Sequence, residues 1–139
     1  MYSFMPALMA GARASVPDLE EATYQTVADA DGDQYQVVQV LTTPAPELDT
    51  GSTGAGGSAD YEYTVQFTFC APRDDFVLKW MRQAASYWTR NRLVVDGLEA
   101  AEQYPGAVDF RQEERREPEG SRMYRGLIRI RFTVAQALR

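Results

Sequence analysis

Few residues in this chain are of a type and spacing that could do chemistry. Asp29-Ala30-Asp31-Gly32-Asp33 has the beginnings of a calcium loop. An EF-hand loop needs glycine at its sixth position and a bidentate glutamate at its twelfth. Counted from Asp29, those positions hold Gln34 and Val40, so the segment reads as a solvated Asp-Gly turn. Cys70 is the one cysteine, which excludes an intrachain disulfide and any multi-cysteine zinc site. The chain has no histidine, so it has no imidazole base or ligand and no Ser-His or Cys-His pair. Cys70 therefore reads as a buried structural thiol. Glu113, Glu114, Glu117 and Glu119 could supply a carboxylate pair. They are interleaved with Arg111, Arg115, Arg116 and Arg122 around a Pro/Gly segment, which reads as a solvated or interface loop. Gly51, Gly54, Gly56 and Gly57 lie in a glycine-rich stretch without the Lys-Ser/Thr and helix start of a phosphate loop. No catalytic residue, metal or cofactor is expected.

Arg125, Arg129 and Arg131 form a more informative set. At i, i+4 and i+6 they share one face of a strand, while Tyr124, Gly126, Ile128, Ile130, Phe132 and Val134 share the other. If this strand neighbours residues 61–70, Glu62 can pair with one of the arginines. The face reads either as a solvent-facing sheet surface or as an interface.

The elements that would position these residues follow from periodicity. A short N-terminal helix opens at Pro6, a favoured first-turn residue, and a helical turn follows Pro17. The N-terminal stretch has no basic leader region and is broken by Pro6 and Gly11, so no secretory signal is expected. Residues 23–28 and 34–42 flank the Asp-Gly turn and read as a hairpin. Residues 43–60 carry two prolines and four glycines and read as a long flexible loop. Residues 61–70 alternate strictly. Tyr61, Tyr63, Val65, Phe67 and Phe69 face one way, and Glu62, Thr64, Gln66, Thr68 and Cys70 the other. Ala71-Pro72 ends this strand. A long helix begins at Asp74 and runs to about Arg92, with an apolar stripe of Phe76, Val77, Trp80, Met81, Ala84, Tyr87 and Trp88. On that stripe Trp80 and Trp88 read as core rather than as base-stacking residues. Residues 93–108 are ambiguous, with turns at Asp96-Gly97 and Pro105-Gly106, and residues 109–110 could form a short strand. Residues 111–122 read as a charged connection, and residues 123–134 as the closing strand.

The expected fold is therefore α+β. It has a mainly antiparallel sheet of about four strands on one long helix, a short N-terminal helix and a long Gly/Ser-rich hairpin loop. With 139 residues, the chain is expected to form one domain. No run is long and apolar enough for a membrane helix, so no membrane partner is expected and the chain reads as a soluble domain made in the cytoplasm. Charge is split along the sequence. Residues 1–75 hold twelve acids and two bases, net −10; residues 76–139 hold eight acids and twelve bases, net +4; together they give −6. Such a chain can pair with copies of itself, acidic patch to basic patch, or its halves can interleave and neutralise locally. Net acidity disfavours gripping nucleic acid.

The order of these elements resembles that of the tail (neck) terminator proteins of tailed phages. The resemblance rests on Tyr35-Gln36-Val37-Val38-Gln39-Val40, the glycine-rich excursion before Tyr61-Glu62-Tyr63-Thr64-Val65-Gln66-Phe67-Thr68-Phe69, and the immediate entry into a long helix after Ala71-Pro72. It extends to the ending, Val108-Asp109-Phe110, a charged stretch, and then Arg122-Met123-Tyr124-Arg125-Gly126-Leu127-Ile128-Arg129-Ile130-Arg131-Phe132. It covers residues 20–134 and lies in element order and hydrophobic pattern. The opening helix is shorter here than is usual in that family. The resemblance implies a virion protein of the neck or tail, assembled in the host cytoplasm. As such it would form a homo-oligomeric ring, commonly a hexamer, that caps the tail tube and joins it to the head–tail connector. DNA would pass through the lumen without specific binding. Subunit or partner contacts are expected from Arg111, Arg115, Arg116, Arg122, Arg125, Arg129, Arg131 and Glu62, and the loop bearing Gly51, Gly54, Gly56 and Gly57 is expected to order on assembly. Other readings are a head–tail stopper or minor tail subunit and, from another class, a small ferredoxin-like ligand-binding or enzymatic domain.

Overall fold

A computed structural model describes residues 4–26, 29–30, 32–41, 47–48, 58–95, 98–99, 102–104, 113–116 and 122–137. Two helices cover one face of a mixed, mainly antiparallel sheet, the α+β arrangement expected from the sequence. Helix α1 (Phe4–Ser15) buries Phe4, Leu8, Met9, Ala12 and Ser15 along one stripe. Pro6 sits in its first turn, where no N–H is needed. A 3-10 turn (Pro17–Leu19) follows, then the short strand β1 (Thr23–Tyr24) and β2 (Tyr35–Val40). Next come β3 (Glu47–Leu48), the long β4 (Ser58–Ala71) and helix α2 (Asp74–Arg90). The chain continues through β5 (Val94–Val95), β6 (Leu98–Glu99), β7 (Glu102–Tyr104) and β8 (Glu113–Arg116), and closes with β9 (Arg122–Ala137).

The main sheet runs β1-β2-β4-β9-β7, with β3 also on β4 and β8 also on β9. Strand β4 pairs antiparallel with β9 along its whole length, from Ser58↔Ala137 to Ala71↔Tyr124. Their inner faces form the core. Tyr63, Val65, Phe67 and Phe69 from β4 meet Ile128, Ile130, Phe132 and Val134 from β9, all buried. Phe4 stacks on Tyr63 with ring centroids 3.8 Å apart. Trp88 stands edge-on to Phe132 at 5.2 Å and beside Phe67 at 5.7 Å, so both α2 tryptophans are core residues (Trp80 is 3% and Trp88 2% exposed). At Gly126 β9 passes close to α2. A Cβ there would lie 2.7 Å from Val77 Cγ1 and closer still to Met81 Sδ.

Three expectations are corrected. Residues 23–28 and 34–42 do not form a hairpin. Strand β1 pairs parallel with β2, Thr23↔Gln36 and Tyr24↔Val37, and the antiparallel partner of β2 is β4. The buried Gln36 side chain bridges β1 and α1 at this register, its Nε2 donating to Thr23 Oγ1 at 3.1 Å and to the Ala12 carbonyl at 3.3 Å. The segment 43–60 is not loop throughout, because Glu47 and Leu48 pair with Asp60 and Ala59. The excursion does join antiparallel neighbours, as a hairpin connection should. The charged connection is also partly strand: Glu113–Arg116 pairs with β9 from Glu113↔Arg125 to Arg116↔Arg122. Charged residues are at home on such an edge, where they discourage further strand pairing. The ambiguous stretch after α2 contains the β5–β6 pair, Val94↔Glu99 and Val95↔Leu98, flanking the expected Asp96-Gly97 turn. Residues 109–110 lie outside the described residues.

Candidate interaction surface

Strict alternation along β4 and β9 sends every second side chain to the face away from the helices. The register places Arg125 opposite Cys70, Leu127 opposite Thr68, Arg129 opposite Gln66 and Arg131 opposite Thr64. Strand β2 extends these rows, with Tyr35 opposite Cys70, Val37 opposite Thr68 and Gln39 opposite Gln66. Val37, Thr68 and Cys70 are buried within this outer face, whereas Arg125, Arg129 and Arg131 are exposed. Cys70 is buried and forms no disulfide, as its type and position suggested.

Two of the arginines are held by the neighbouring strand. Arg131 Nε lies 3.2 Å from Glu62 Oε1, the pairing anticipated for Glu62, with side chains 60% and 55% exposed. At that exposure the pair contributes about 0–1 kcal/mol to stability. It orients the guanidinium more than it holds the sheet together. Arg129 Nε donates to Gln66 Oε1 at 3.0 Å, and Gln66 Nε2 donates to Thr68 Oγ1 at 3.3 Å. Arg129 is thus aimed by a neutral amide that leaves its charge uncompensated, and its terminal nitrogens have no partner among the described residues.

The remaining predicted positions are dispersed. Arg115, Arg116 and Arg122 lie on the β8–β9 pair at the β9 side of the sheet. Arg111, Gly51, Gly54, Gly56 and Gly57 lie outside the described residues. Asp29 is engaged locally, its Oδ2 accepting from Thr26 Oγ1 at 2.9 Å, and Gly32 takes the left-handed conformation of a turn (φ 82°). Two open grooves flank α1. One, of about 410 Å³, is lined by Ala10, Arg13, Ala14, Pro17 and Glu20. The other, of about 320 Å³, runs between α1 and the end of α2 past Tyr87, Arg92 and the exposed Val94. Neither brings together two carboxylates or a nucleophile and a base. Among the described residues no group of three or more Asp, Glu or Cys side chains is placed to hold a metal ion, and no helix is long and apolar enough to cross a membrane.

The arginine face is visible in the sequence, whereas the distance between β1 and β9 is not. Residues 14–72, which supply β1 to β4, contain ten acids and no Lys or Arg, whereas β9 contains four arginines and no acid. Asp18, Glu20 and Glu21 lead directly into β1, which two strands separate from the arginines of β9.

No protein-family model matches the chain, and no curated protein sequence matches it. Among solved structures, its fold is similar to that of a chain from the virion of a native gene transfer agent particle. The two are 14% identical, the likeness spans 98% of this chain and 100% of that one, and the TM-score is 0.53. A second solved chain is 17% identical over 97% of this chain and 92% of its own length, at a TM-score of 0.47. At such identities the likeness is one of fold.

Proposed function

We propose that this chain is a structural subunit of a phage-like virion and, within the particle, a tail terminator. In this reading six copies close into a ring on the last layer of the tail tube. The ring stops tube growth and offers the head–tail connector a docking surface. The observation that carries the reading is the end-to-end likeness of fold to a virion chain, which leaves neither protein with a large unmatched segment. The chemistry of the chain supports it. A sequence without histidine and with one buried cysteine is poorly equipped for catalysis, and an exposed row of arginines aimed by β4 suits protein contact.

The chain acts by fit rather than by turnover. Arg125, Arg129 and Arg131, with Arg111, Arg115, Arg116 and Arg122 beside them in sequence, make subunit or partner contacts. The segment bearing Gly51, Gly54, Gly56 and Gly57 makes contact with tube or connector. DNA passes the lumen without specific contacts, because a net charge of −6 repels phosphate. Negative-stain microscopy of the purified chain tests the proposal. Closed sixfold rings with an open lumen are expected. A monomer that binds and turns over a small molecule would contradict it and favour the ligand-binding or enzymatic class.

A further inference from the structure

Building on the ring reading, we propose which two surfaces meet. The outer-face arginines of β9, centred on Arg129, dock against the acidic β1 side of the next copy, centred on Glu20 and Glu21.

Distance across the sheet carries the inference. Strands β1 and β9 are separated by β2 and β4. Three inter-strand spacings of about 4.8 Å put them about 14 Å apart. Exposed charges are screened over about 8 Å at physiological salt. The acids at the β1 side therefore cannot neutralise Arg129 within one copy, although local ion pairs between the two halves of the chain do form at Glu62–Arg131 and Asp18–Lys79.

The local contacts agree. Arg129 is exposed, oriented through Nε by Gln66, and has no carboxylate partner among the described residues. Glu20 and Glu21 are exposed, directly follow the 3-10 turn and form no ion pair among the described residues. Asp18 beside them is engaged by Lys79 Nζ at 3.2 Å and Trp80 Nε1 at 3.4 Å. Those contacts tie Asp18 to α2, and the two glutamates follow it closely in the chain. Acidic and basic surfaces lie on different parts of one molecule, so the contact is heterologous and propagates head to tail. It generates a ring where the rotation closes.

The geometry allows a test by complementation. Variant one carries Arg129→Glu; variant two carries Glu20→Arg and Glu21→Arg. All three positions are exposed, so melting temperatures should stay close to that of the parent chain. Each variant alone should associate at least tenfold more weakly than the parent by concentration-dependent native mass spectrometry. Mixed in equal amounts, the two should assemble again. Every contact in an alternating ring then joins opposite charges, which a merely misfolded variant could not achieve. Parent rings accompanied by undiminished assembly of either variant, or by a mixture no better than its parts, would overturn this interface and leave the ring reading standing. A parent chain that stays monomeric at every concentration would overturn both.

Discussion

Replacing Gly126 by alanine tests the face assignment on which the surface rests. A Cβ at this position would stand 2.7 Å from Val77 Cγ1 and even closer to Met81 Sδ. Carbon–carbon contacts are optimal at about 3.5–4.0 Å, so close to an ångström must be found. Met81 can swing its thioether aside. Val77, β-branched within a helix, has one strongly preferred rotamer, and α2 or β9 must shift to accommodate it. Overpacking of this kind costs about 1–3 kcal/mol. Removing glycine from a strand interior returns about 0.5–1 kcal/mol. The net expectation is a loss of about 1–2 kcal/mol, or roughly 3–8 °C in melting temperature for a domain of this size. Thermal denaturation followed by circular dichroism reads it out. Val77→Ala in the same chain should recover part of the loss, with a favourable coupling of about 1 kcal/mol in the double-mutant cycle. An unchanged or raised melting temperature for Gly126→Ala would mean that position 126 does not face α2. The register would then be displaced by one residue, and the arginines would not line the outer face.

Gln36→Leu should change stability by less than about 1 kcal/mol, because the buried Oε1 has no hydrogen-bond partner and its desolvation offsets the two bonds made by Nε2. Ala12 O and Thr23 Oγ1 keep other partners in Ser15 Oγ and Leu19 O, and a loss above about 2 kcal/mol in chemical denaturation would contradict this assignment. Glu62→Ala should cost at most about 1 kcal/mol, a small effect that weakens further at high salt. A larger loss would show that the Glu62–Arg131 pair is structural. Deleting Gly51 to Gly57 should leave the melting temperature of the purified chain almost unchanged and lower the yield of infectious particles; a normal particle yield would remove that segment from assembly.

Long, regular elements were legible because their pattern is set by burial. Strict alternation in residues 61–70, alternation broken only at Leu127 in residues 123–134, and the three-and-four spacing from Val77 to Trp88 each mark one face as core, and the structure places those faces together. The pairing of Glu62 was legible once the two strands were assumed to be neighbours. What escaped depends on partners distant in sequence. The Asp-Gly turn invited a hairpin, yet β1 pairs parallel with β2, and the Gln36 side chain reaches Ala12 in α1 across 24 positions of sequence. Nothing local in Glu113–Arg116 marks a strand. It becomes one by lying along the edge of β9, and mixed charge is compatible with an exposed edge as well as with a loop. The charge split was visible as a count, but only the strand order shows that β1 and β9 are separated by two strands.

The central claim is that this molecule works by assembling with its own copies. Native mass spectrometry of the intact, unmodified chain across a range of concentrations tests it most directly. The account predicts a dominant species at six times the 15.6 kDa subunit mass, giving way to monomer as salt is raised. A single 15.6 kDa species under all conditions would contradict it.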